Sequence, residues 1–495
     1  MPQLTRRTFL KTSALAGAAA FSARSWAQVA GANSDVRVAV VGLHGRGRNH
    51  LTSLKSLPGV RIVALCDPDT AVLERAKQSL AEAGITSRTC VDLRELLAAA
   101  DVDAITVATP NHWHALAGIW ACQAGKDAYI EKPVSHNVWE GRQLVAAAKK
   151  YGRVVQSGTQ IRSGEGLSEA AAWVRAGNLG RTTVARGFCY KRRDSIGRSE
   201  GPQPVPDTVD YNLWCGPAPL APLHRRRLHY DWHWQFPTGN GDVGNQGIHQ
   251  MDVARWFLGE PGLPRHTLSV GGRLGYEDDG DTPNTQVVIH DYATAPLIFE
   301  VRGLPETPSA APEPGSDSGE GAGPPRVRMS QYRGVSIGNV IDCEGGSVVT
   351  AGYFSAKAYD RAGRLVKEFR GADRHMANFI EVVRSRKTAE LFAPAEVGHV
   401  SSALCHLGNI SHRLGRAAPP GLLLEKIKGD GMLAEAYGRM AEHLAVNGVD
   451  LNKTPATLGV PLAIRPAAER FKGDEAANAL LTRDYRAPFV VPKLA

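Results

Sequence analysis

Short apolar strands that alternate with helical patterns constrain the fold of the N-terminal third of the chain more than any other feature. VRVAVVG at 36–42 is a β-branched run that predicts a buried strand, and glycines and a helical pattern follow it. Similar runs at 60–66 and 104–108 predict a second and a third strand. A fourth strand lies in DAYIEKP and ends near Glu131, and a further strand lies in RVVQSG. Strands separated by helices form βαβ units, so the sequence predicts a parallel α/β sheet over residues 35–157.

A glycine-rich turn, GLHGRG, follows the first strand and predicts a nucleotide-binding loop. Gly42 and Gly47 fit the first and third glycines of the dinucleotide pattern, whereas His44 holds the second position and Gly45 comes one residue later. Asp67 closes the second strand, where a carboxylate can accept from a ribose diol and repel a 2′-phosphate. This pattern favours NAD, with NADP as the alternative; a helix N-cap is the alternative role for Asp67.

The pattern changes after about residue 160. Strand-like runs such as TTVARGFCY, TQVVIHDY and SAKAYD dominate with few helices between them, which predicts an α+β domain with a largely antiparallel, open sheet over 158–450. Residues 303–326 are rich in Pro, Gly and Ser, and we expect a flexible loop there. Residues 451–495 form a C-terminal extension, which we expect to pack back on the first domain.

Residues 1–27 have the pattern of an export signal. Arg6 and Arg7 precede a short Ala-rich apolar stretch, and Ser25-Trp26-Ala27 supplies small residues before a cleavage point. The apolar stretch is far below the roughly 20 residues that a membrane-spanning helix needs. Twin arginines predict the route that exports folded proteins, and hence a periplasmic or otherwise exported protein with no membrane anchor after cleavage.

Charge and cysteine content exclude several classes of function. The formal charge is +9, of which four positive charges lie in residues 1–27, leaving +5 without a long basic run. Nucleic acid is therefore not an expected partner. The seven cysteines are scattered without a C-x-x-C pair, and His112 and His114 stand two residues apart without an acid or thiol cluster, so no metal site is predicted.

Two later motifs connect the chain with a known family. TPNHWHA at 109–115 follows the third strand, and Glu131-Lys132-Pro133 follows the fourth. With the glycine loop, and with YNLWCGPAP at 211–219 and GDVGNQGIHQMDVARW at 241–256, the chain resembles the glucose–fructose oxidoreductase/inositol dehydrogenase (Gfo/Idh/MocA) family, in its exported bacterial branch. The resemblance implies a Rossmann domain, a C-terminal α+β domain, NAD(P), sugar or polyol substrates and a homo-oligomer.

The resemblance also implies catalytic residues. Lys132 matches the family's lysine beside the nicotinamide and substrate, and His249 matches the histidine that faces it. A histidine titrates near neutral pH, so His249 is the expected base, and Lys132 is the positive partner or, if desolvated, the base itself. The family usually carries an acid four residues before that histidine, where this chain has Asn245. We expect Asn245 to orient a hydroxyl or the imidazole, and Asp242 and Asp252 are the nearby acids that could replace the missing one.

The candidate cofactor-binding residues come from the loop and the two motifs together. They are Gly42, His44, Gly45, Arg46, Gly47, Asp67, Thr109, Pro110, Asn111, His114, Glu131, Lys132 and Gln160.

Candidate substrate contacts lie in the second domain. HYDWHWQF at 229–236 is unusually aromatic, and Trp232 and Trp234 are either core residues or a stacking face for a sugar. Other candidate contacts are Tyr190, Lys191, Arg192 and Asp252.

These observations predict an NAD(P)-dependent oxidoreductase that oxidises a secondary hydroxyl of a sugar, polyol or glycoside and holds its cofactor tightly. Two alternatives remain open. One is glycoside cleavage through internal oxidation, elimination and reduction; the other is an exported, non-catalytic sugar-binding protein.

Overall fold

The computed structural model describes residues 35–308 and 327–495. The predicted signal at 1–27 and most of the predicted loop at 303–326 lie outside the described residues. None of the helices in the described ranges is long and apolar enough to cross a membrane.

Six parallel strands form the N-terminal sheet in the order β3-β2-β1-β4-β5-β6. The strands are β1 Val36–Val41, β2 Val60–Cys66, β3 Arg88–Cys90, β4 Ala104–Val107, β5 Asp127–Ile130 and β6 Val155–Ser157. The helices between them are α1 Arg46–Lys55, α2 Thr70–Glu82, α3 Leu93–Ala98, α4 Asn111–Gln123 and α5 Val138–Lys150. The strand order reverses between β1 and β4, and ligands of such sheets bind beside the carboxyl ends of the strands at that point.

Local sequence signals account for these elements. β1, β4 and β5 are almost entirely buried, as expected for apolar strands covered on both faces. The Asp69 side chain caps α2 by accepting from the amides of Ala71 and Val72. Asn137 and Glu140 cap α5 together, because Asn137 accepts from the amide of Glu140 and Glu140 accepts from the amide of His136.

The second sheet has twelve strands, and its central path runs β14-β13-β12-β11-β7-β10-β9-β8-β16-β15, with β17 pairing to β8 and β18. Its pairs are antiparallel except for β7 with β10. The strands are β7 Thr182–Tyr190, β8 His266–Gly272, β9 Thr285–Asp291, β10 Leu297–Arg302, β11 Ile337–Cys343, β12 Gly346–Ala351, β13 Ser355–Asp360, β14 Leu365–Arg370, β15 Arg416–Ala417, β16 Thr457–Leu458, β17 Leu462–Arg465 and β18 Arg470–Phe471. The predicted parallel and mostly antiparallel domains are therefore confirmed.

Helices cover both faces of the second sheet. The remaining helices are α6 Glu165–Arg175, α7 Tyr211–Cys215, α8 Ile248–Leu258, α9 His375–Ser385, α10 Ala395–Arg413, α11 Pro420–Ile427, α12 Gly431–Val446 and α13 Glu475–Ala479. One face packs its apolar side chains against α6 and α8. On the other face, α11 and α12 pack over β8, β9 and β10. The chain's own helices α11 and α12 thus cover part of that face.

Two later segments return to the first domain. Phe379 and Ile380 of α9 pack into the core around β1, although α9 falls within the predicted second domain. Phe489 packs edge-on against Trp113 of α4. The amide of Leu494 donates to Gln143 of α5. The end of the C-terminal extension therefore packs on the first domain, whereas its strands β16 and β17 pair with β8 of the second sheet.

Candidate active site

A cavity of about 330 Å³ lies at the carboxyl edge of the first sheet, between the two domains. The glycine loop, the ends of β2, β4 and β5, and a segment of the second domain line it. Twelve of the predicted site residues line this one cavity: Gly42, His44, Gly45, Arg46, Asp67, Thr109, Pro110, Asn111, His114, Glu131, Lys132 and Asn245.

The glycine loop has the shape of a phosphate cradle. A Cβ on Gly42 would lie 2.8 Å from the backbone of Ala108, and one on Gly47 would lie 2.0 Å from the carbonyl oxygen of Gly42. Gly47 itself lies under the loop, outside the cavity lining. Gly45 has φ of 45°, and a Cβ there would meet nothing within 4 Å. The loop thus packs tightly underneath and is open above, directly before α1.

The N-terminus of α1 fits an anionic group. No side chain caps this helix, and its first turn carries no acid. Amide groups at such a terminus bind phosphate, and the helix dipole favours negative charge there. The residues present therefore fit the pyrophosphate of a dinucleotide.

Asp67 is held rigidly at the end of β2. Its Oδ2 accepts from the amide of Leu43 at 2.9 Å and its Oδ1 accepts from the amide of Asp69 at 3.0 Å. Burial raises the pKa of Asp67 to about 6 against these two donors. The carboxylate is thus fixed where a ribose diol could donate to it, and α2 is capped by Asp69 rather than by Asp67.

Glu131 organises the side of the cavity beside β5. Its Oε1 accepts from Arg46 at 2.8 Å and from Gln160 at 2.9 Å, and it lies 3.1 Å from Nε2 of His50. Burial alone would raise the pKa of Glu131, but Arg46 and His50 outweigh it and hold the pKa well below its usual range. Gln160 therefore acts on Glu131 and lies outside the cavity lining.

Lys132 spans the boundary between the domains. Its Nζ donates to the backbone carbonyl of Asn245 at 2.6 Å. Asn245 lies in the π-helical turn Val243–Gly247, which directly precedes α8. Burial lowers the pKa of Lys132, an effect that Glu131 opposes. An ammonium with a lowered pKa can hold a hydroxyl and exchange a proton with it.

His249 lies behind the cavity lining. It is 3% exposed, its ring lies 5.2 Å from that of Tyr353, and its Nδ1 has no partner among the described residues. Burial, followed by the charge of Lys132, lowers the pKa of His249 to about 3. The imidazole is therefore neutral and close to Lys132, but it does not line the cavity.

Neither candidate replacement acid contacts His249. Asp242 is locked by Arg193, whose Nη2 lies 2.6 Å from Oδ1. Asp252 is locked by Arg162, whose Nη2 lies 2.8 Å from Oδ1. Each of these two carboxylates is bound in a buried ion pair, so neither replaces the acid that the family usually carries at the position of Asn245.

The other candidate substrate contacts lie outside the cavity lining. The Tyr190 hydroxyl donates to Glu300 within the sheet, and Arg192 pairs with Asp194 at 2.7 Å. Trp234 is buried beneath the guanidinium of Arg193. Lys191 is exposed. Trp232, by contrast, lines the cavity.

His112 and His114 have structural contacts rather than metal-binding ones. The ring nitrogens of His112 lie 3.3 Å and 3.0 Å from the carbonyls of Thr238 and Trp214. Those of His114 lie 2.5 Å and 2.8 Å from the carbonyls of Pro133 and Thr109. In the part of the chain that the structure describes, no cluster of three His, Cys, Asp or Glu residues could hold a metal ion.

His233 is a cavity residue that the sequence analysis missed. Its Nδ1 lies 2.6 Å from the carbonyl of Tyr230, and its ring stacks on Trp232 at 3.6 Å. Burial lowers the pKa of His233 to about 3. Because a carbonyl only accepts, Nδ1 carries the proton and Nε2 is the free acceptor nitrogen. The aromatic stretch HYDWHWQF was the signal in the sequence, but the prediction of a substrate contact there rested on its tryptophans and not on His233.

Fold and cavity together define a two-domain protein whose first domain is an NAD-binding Rossmann domain. Residues 36–159 match the family model described as "Oxidoreductase family, NAD-binding Rossmann fold". Residues 173–273 match the model described as "Oxidoreductase family, C-terminal alpha/beta domain". Two segments of the chain, 36–159 and 173–273, therefore match the N-terminal and C-terminal domain models of the Gfo/Idh/MocA family.

Curated relatives match a limited part of the chain. "Glycosyl hydrolase family 109 protein 1" of Shewanella sp. (strain ANA-3) is 35% identical over 120 residues, which cover 23% of this chain and 26% of that protein. An "Alpha-N-acetylgalactosaminidase" of Shewanella oneidensis is 33% identical with the same coverage. The match thus spans about a quarter of the length of these curated relatives.

Solved structures extend the likeness of fold. The WlbA dehydrogenase from Bordetella pertussis, in complex with NADH and UDP-GlcNAcA, superposes with a TM-score of 0.54 at 19% identity. The superposition covers 77% of this chain and 97% of that chain. The arrangement of a Rossmann domain followed by a large mixed sheet is therefore shared.

Proposed function

We propose that this protein is an NAD-dependent oxidoreductase that acts on a secondary hydroxyl of a sugar, polyol or glycoside. The observation that carries the proposal is the position of Lys132, whose ammonium lies in the same cavity as the glycine loop and Asp67. A dinucleotide held by that loop and a hydroxyl held by that ammonium would share one space. The match to an NAD-binding oxidoreductase domain supports the same function.

The chain's residues would handle the proton while the cofactor handles the hydride. When bound, the nicotinamide accepts the hydride from the carbinol carbon. Lys132 donates to the substrate oxygen and stabilises its alkoxide character. His233, which lines the cavity with Nδ1 against the Tyr230 carbonyl, would accept the hydroxyl proton at Nε2. The backbone carbonyl of Asn245 holds the Lys132 ammonium, and the Asn245 side chain orients the hydroxyl.

NAD is favoured over NADP by the acid at the end of β2. Asp67 is fixed by two amide donors and lines the cavity. A 2′-phosphate at that place would meet a carboxylate, whereas a free diol would donate to it. Arg46 does not offset this charge, because it pairs with Glu131.

Redox-neutral glycoside cleavage is the second candidate function. The relatives named as glycosyl hydrolase family 109 proteins favour it. Hydrolysis by the common route needs two carboxylates across the bond. The acids in the described lining are Asp67, Asp92 and Glu131. The first two lie at the β2–β3 end of the cavity, and Glu131 forms an ion pair with Arg46. Cleavage at this site would therefore proceed through oxidation, elimination at the neighbouring carbon and reduction.

A non-catalytic, exported sugar-binding protein is the third candidate. Asn245 in place of an acid, and His44 in place of a glycine, are the features that favour it. In that case the cavity would hold carbohydrate without turnover.

Export as a folded, cofactor-loaded protein completes the proposal. The twin arginines and the small-residue end of residues 1–27 support export by the twin-arginine route to the periplasm. All seven cysteines are free thiols, which suits folding in a reducing compartment. A homo-oligomer remains a prediction, and sedimentation of the purified protein tests it.

The proposed function is tested by screening carbohydrates and aryl glycosides with the purified protein. Nicotinamide absorbance and release of the aglycone should be followed together. Net oxidation predicts a change in absorbance without cleavage, and redox cycling predicts cleavage without net change. Carbohydrate binding without either signal would contradict an enzymatic function and would favour the non-catalytic sugar-binding protein.

A further inference from the structure

We propose that residues 208–229 of the second domain form a clamp that closes over the adenosine half of the bound NAD and slows its release. This inference rests on the proposed cofactor. The clamp contributes Leu213, Trp214 and His229 to the cavity lining that also contains Asp67. Three separate sets of contacts tie it to the Rossmann domain.

The first tie is a backbone bridge at the start of α2. The amide of Thr70 donates to the carbonyl of Thr208 at 2.9 Å, and the amide of Asp210 donates to the carbonyl of Pro68 at 2.9 Å. These two bonds flank an antiparallel bridge between Asp69 and Val209. The bridge directly follows Asp67, so the clamp is anchored beside the predicted ribose position.

The second tie is made by His229. Its Nε2 lies 2.9 Å from Oδ2 of Asp69. Its ring also stacks on His44 of the glycine loop, with centroids 5.3 Å apart and planes 16° from parallel. His44 and His229 both line the cavity, so this pair of rings forms its rim. The stack gives a role to His44, which stands where the dinucleotide pattern has a glycine.

The third tie joins the clamp to α4. Trp113 Nε1 donates to the carbonyls of Leu213 and Trp214, each at 3.1 Å. Gly216 lies so close to the Trp113 ring that a Cβ there would be 2.3 Å from it. The clamp therefore packs on the Rossmann domain directly above the cavity wall.

The release of NAD follows from these ties. The adenosine half would lie between Asp67 on one side and the clamp on the other. Its departure requires the His44–His229 stack and the His229–Asp69 pair to separate at the rim. Opening of the clamp is thus a step that precedes release, and it would let an exported enzyme keep a cofactor that its surroundings do not replace.

The rate of NAD release from the purified, NAD-loaded protein tests the clamp. Bound NAD is chased with an excess of isotope-labelled NAD, and the remaining unlabelled fraction is followed by mass spectrometry. His229→Ala should release NAD about two- to fivefold faster than wild type, the effect expected for loss of a partly exposed hydrogen bond to a carboxylate. His44→Ala removes the Rossmann-domain partner of the same ring stack and should also accelerate the release of NAD.

His224→Ala is the matched control, because His224 is an exposed histidine of the same segment outside the cavity lining. It should release NAD at the wild-type rate. Hydrogen exchange adds a readout without substitution: the amides of Thr70 and Asp210 should exchange more slowly in NAD-loaded wild type than in the stripped protein. Loaded His229→Ala and His44→Ala proteins that both release NAD at the wild-type rate would overturn the clamp. A wild-type protein that binds no NAD would instead overturn the proposed function.

Discussion

The Nζ of Lys132 donates to the backbone carbonyl of Asn245 at 2.6 Å and so joins the Rossmann domain to the π-helical turn of the second domain. This bond fixes the ammonium at the point where the two domains meet. A π-turn leaves its backbone irregular, and such turns are frequent at functional sites. The geometry of Lys132 therefore depends on both domains, and the proposed chemistry does as well.

Replacing Lys132 by Met should lower kcat by about 100-fold or more, because it removes the charge that stabilises alkoxide character. The substitution keeps a long apolar side chain, so the protein should fold and retain NAD. Lys367→Met, at a partly exposed lysine on β14 that pairs with Glu169, is the matched control and should keep wild-type turnover. Unchanged turnover in the Lys132 variant would remove this residue from the mechanism.

His233→Asn should lower kcat more than His249→Asn does. His233 lines the cavity with a free Nε2, whereas His249 lies behind it. We expect about 100-fold for His233, as for loss of a general base, and about tenfold for His249. Steady-state kinetics of both variants over a pH series checks this. A larger loss at His249 would instead support the role that the family resemblance implies.

Asp67→Ser should narrow the preference for NAD over NADP by at least about tenfold, because the carboxylate that repels a 2′-phosphate is removed. Dissociation constants for both nucleotides, measured on stripped protein, give the ratio. Asp101→Asn, at an exposed residue paired with Arg88, is the control and should leave the ratio unchanged. An unaltered ratio in the Asp67 variant would mean that the ribose lies elsewhere.

Gly47→Ala should destabilise the first domain by about 1–3 kcal/mol and abolish tight NAD binding, because its Cβ would lie 2.0 Å from the carbonyl oxygen of Gly42. Urea unfolding and NAD content measure the two effects. Gly438→Ala in α12 is the matched control, since a Cβ there meets nothing within 4 Å. It should be neutral or stabilise by up to about 1 kcal/mol. Equal stability and equal NAD content in the two variants would contradict the tight packing of the loop.

The free energy of unfolding should fall as the pH drops from about 6.5 to 5. Burial lowers the pKa of His290 to about 3, and burial does the same for His112 and His406. Unfolded histidines have a pKa near 6.5, so below that pH the unfolded state binds more protons and gains stability. Asp67 works in the opposite direction, because its pKa is raised to about 6 and its folded form binds the proton first.

Urea unfolding at about pH 8, 6.5 and 5 measures this dependence. His290→Leu should flatten it, because one of the titrating groups is removed. A midpoint that stays constant between about pH 6.5 and 5 would contradict the neutral, buried state of these histidines.

Local patterns in the sequence predicted most of the fold. The strands around Gly42 and Asp67 are short, apolar and separated by helices, so periodicity alone predicts the parallel sheet. The glycine loop, Asp67 and Lys132 were predictable because each directly follows such a strand, and the carboxyl ends of parallel strands meet at one edge.

The remaining features depend on contacts between distant parts of the chain. His229 meets Asp69 across 160 residues, and no local pattern encodes that distance. Asp242 and Asp252 stood at plausible spacings from His249, but Arg193 and Arg162 pair with them. Tyr190 shares a face of β7 with Phe188, and its hydroxyl donates to Glu300 of the neighbouring β10, so it lies outside the cavity lining.

The nucleotide content of the purified protein tests the central claim most directly. The mature chain should be purified from the exported fraction without added nucleotide, then denatured, and the released small molecules quantified by mass spectrometry. The account predicts about one NAD or NADH per chain, held through dialysis. A protein that comes out empty and also fails to bind added NAD would contradict the link between the glycine loop, Asp67 and the proposed oxidoreductase.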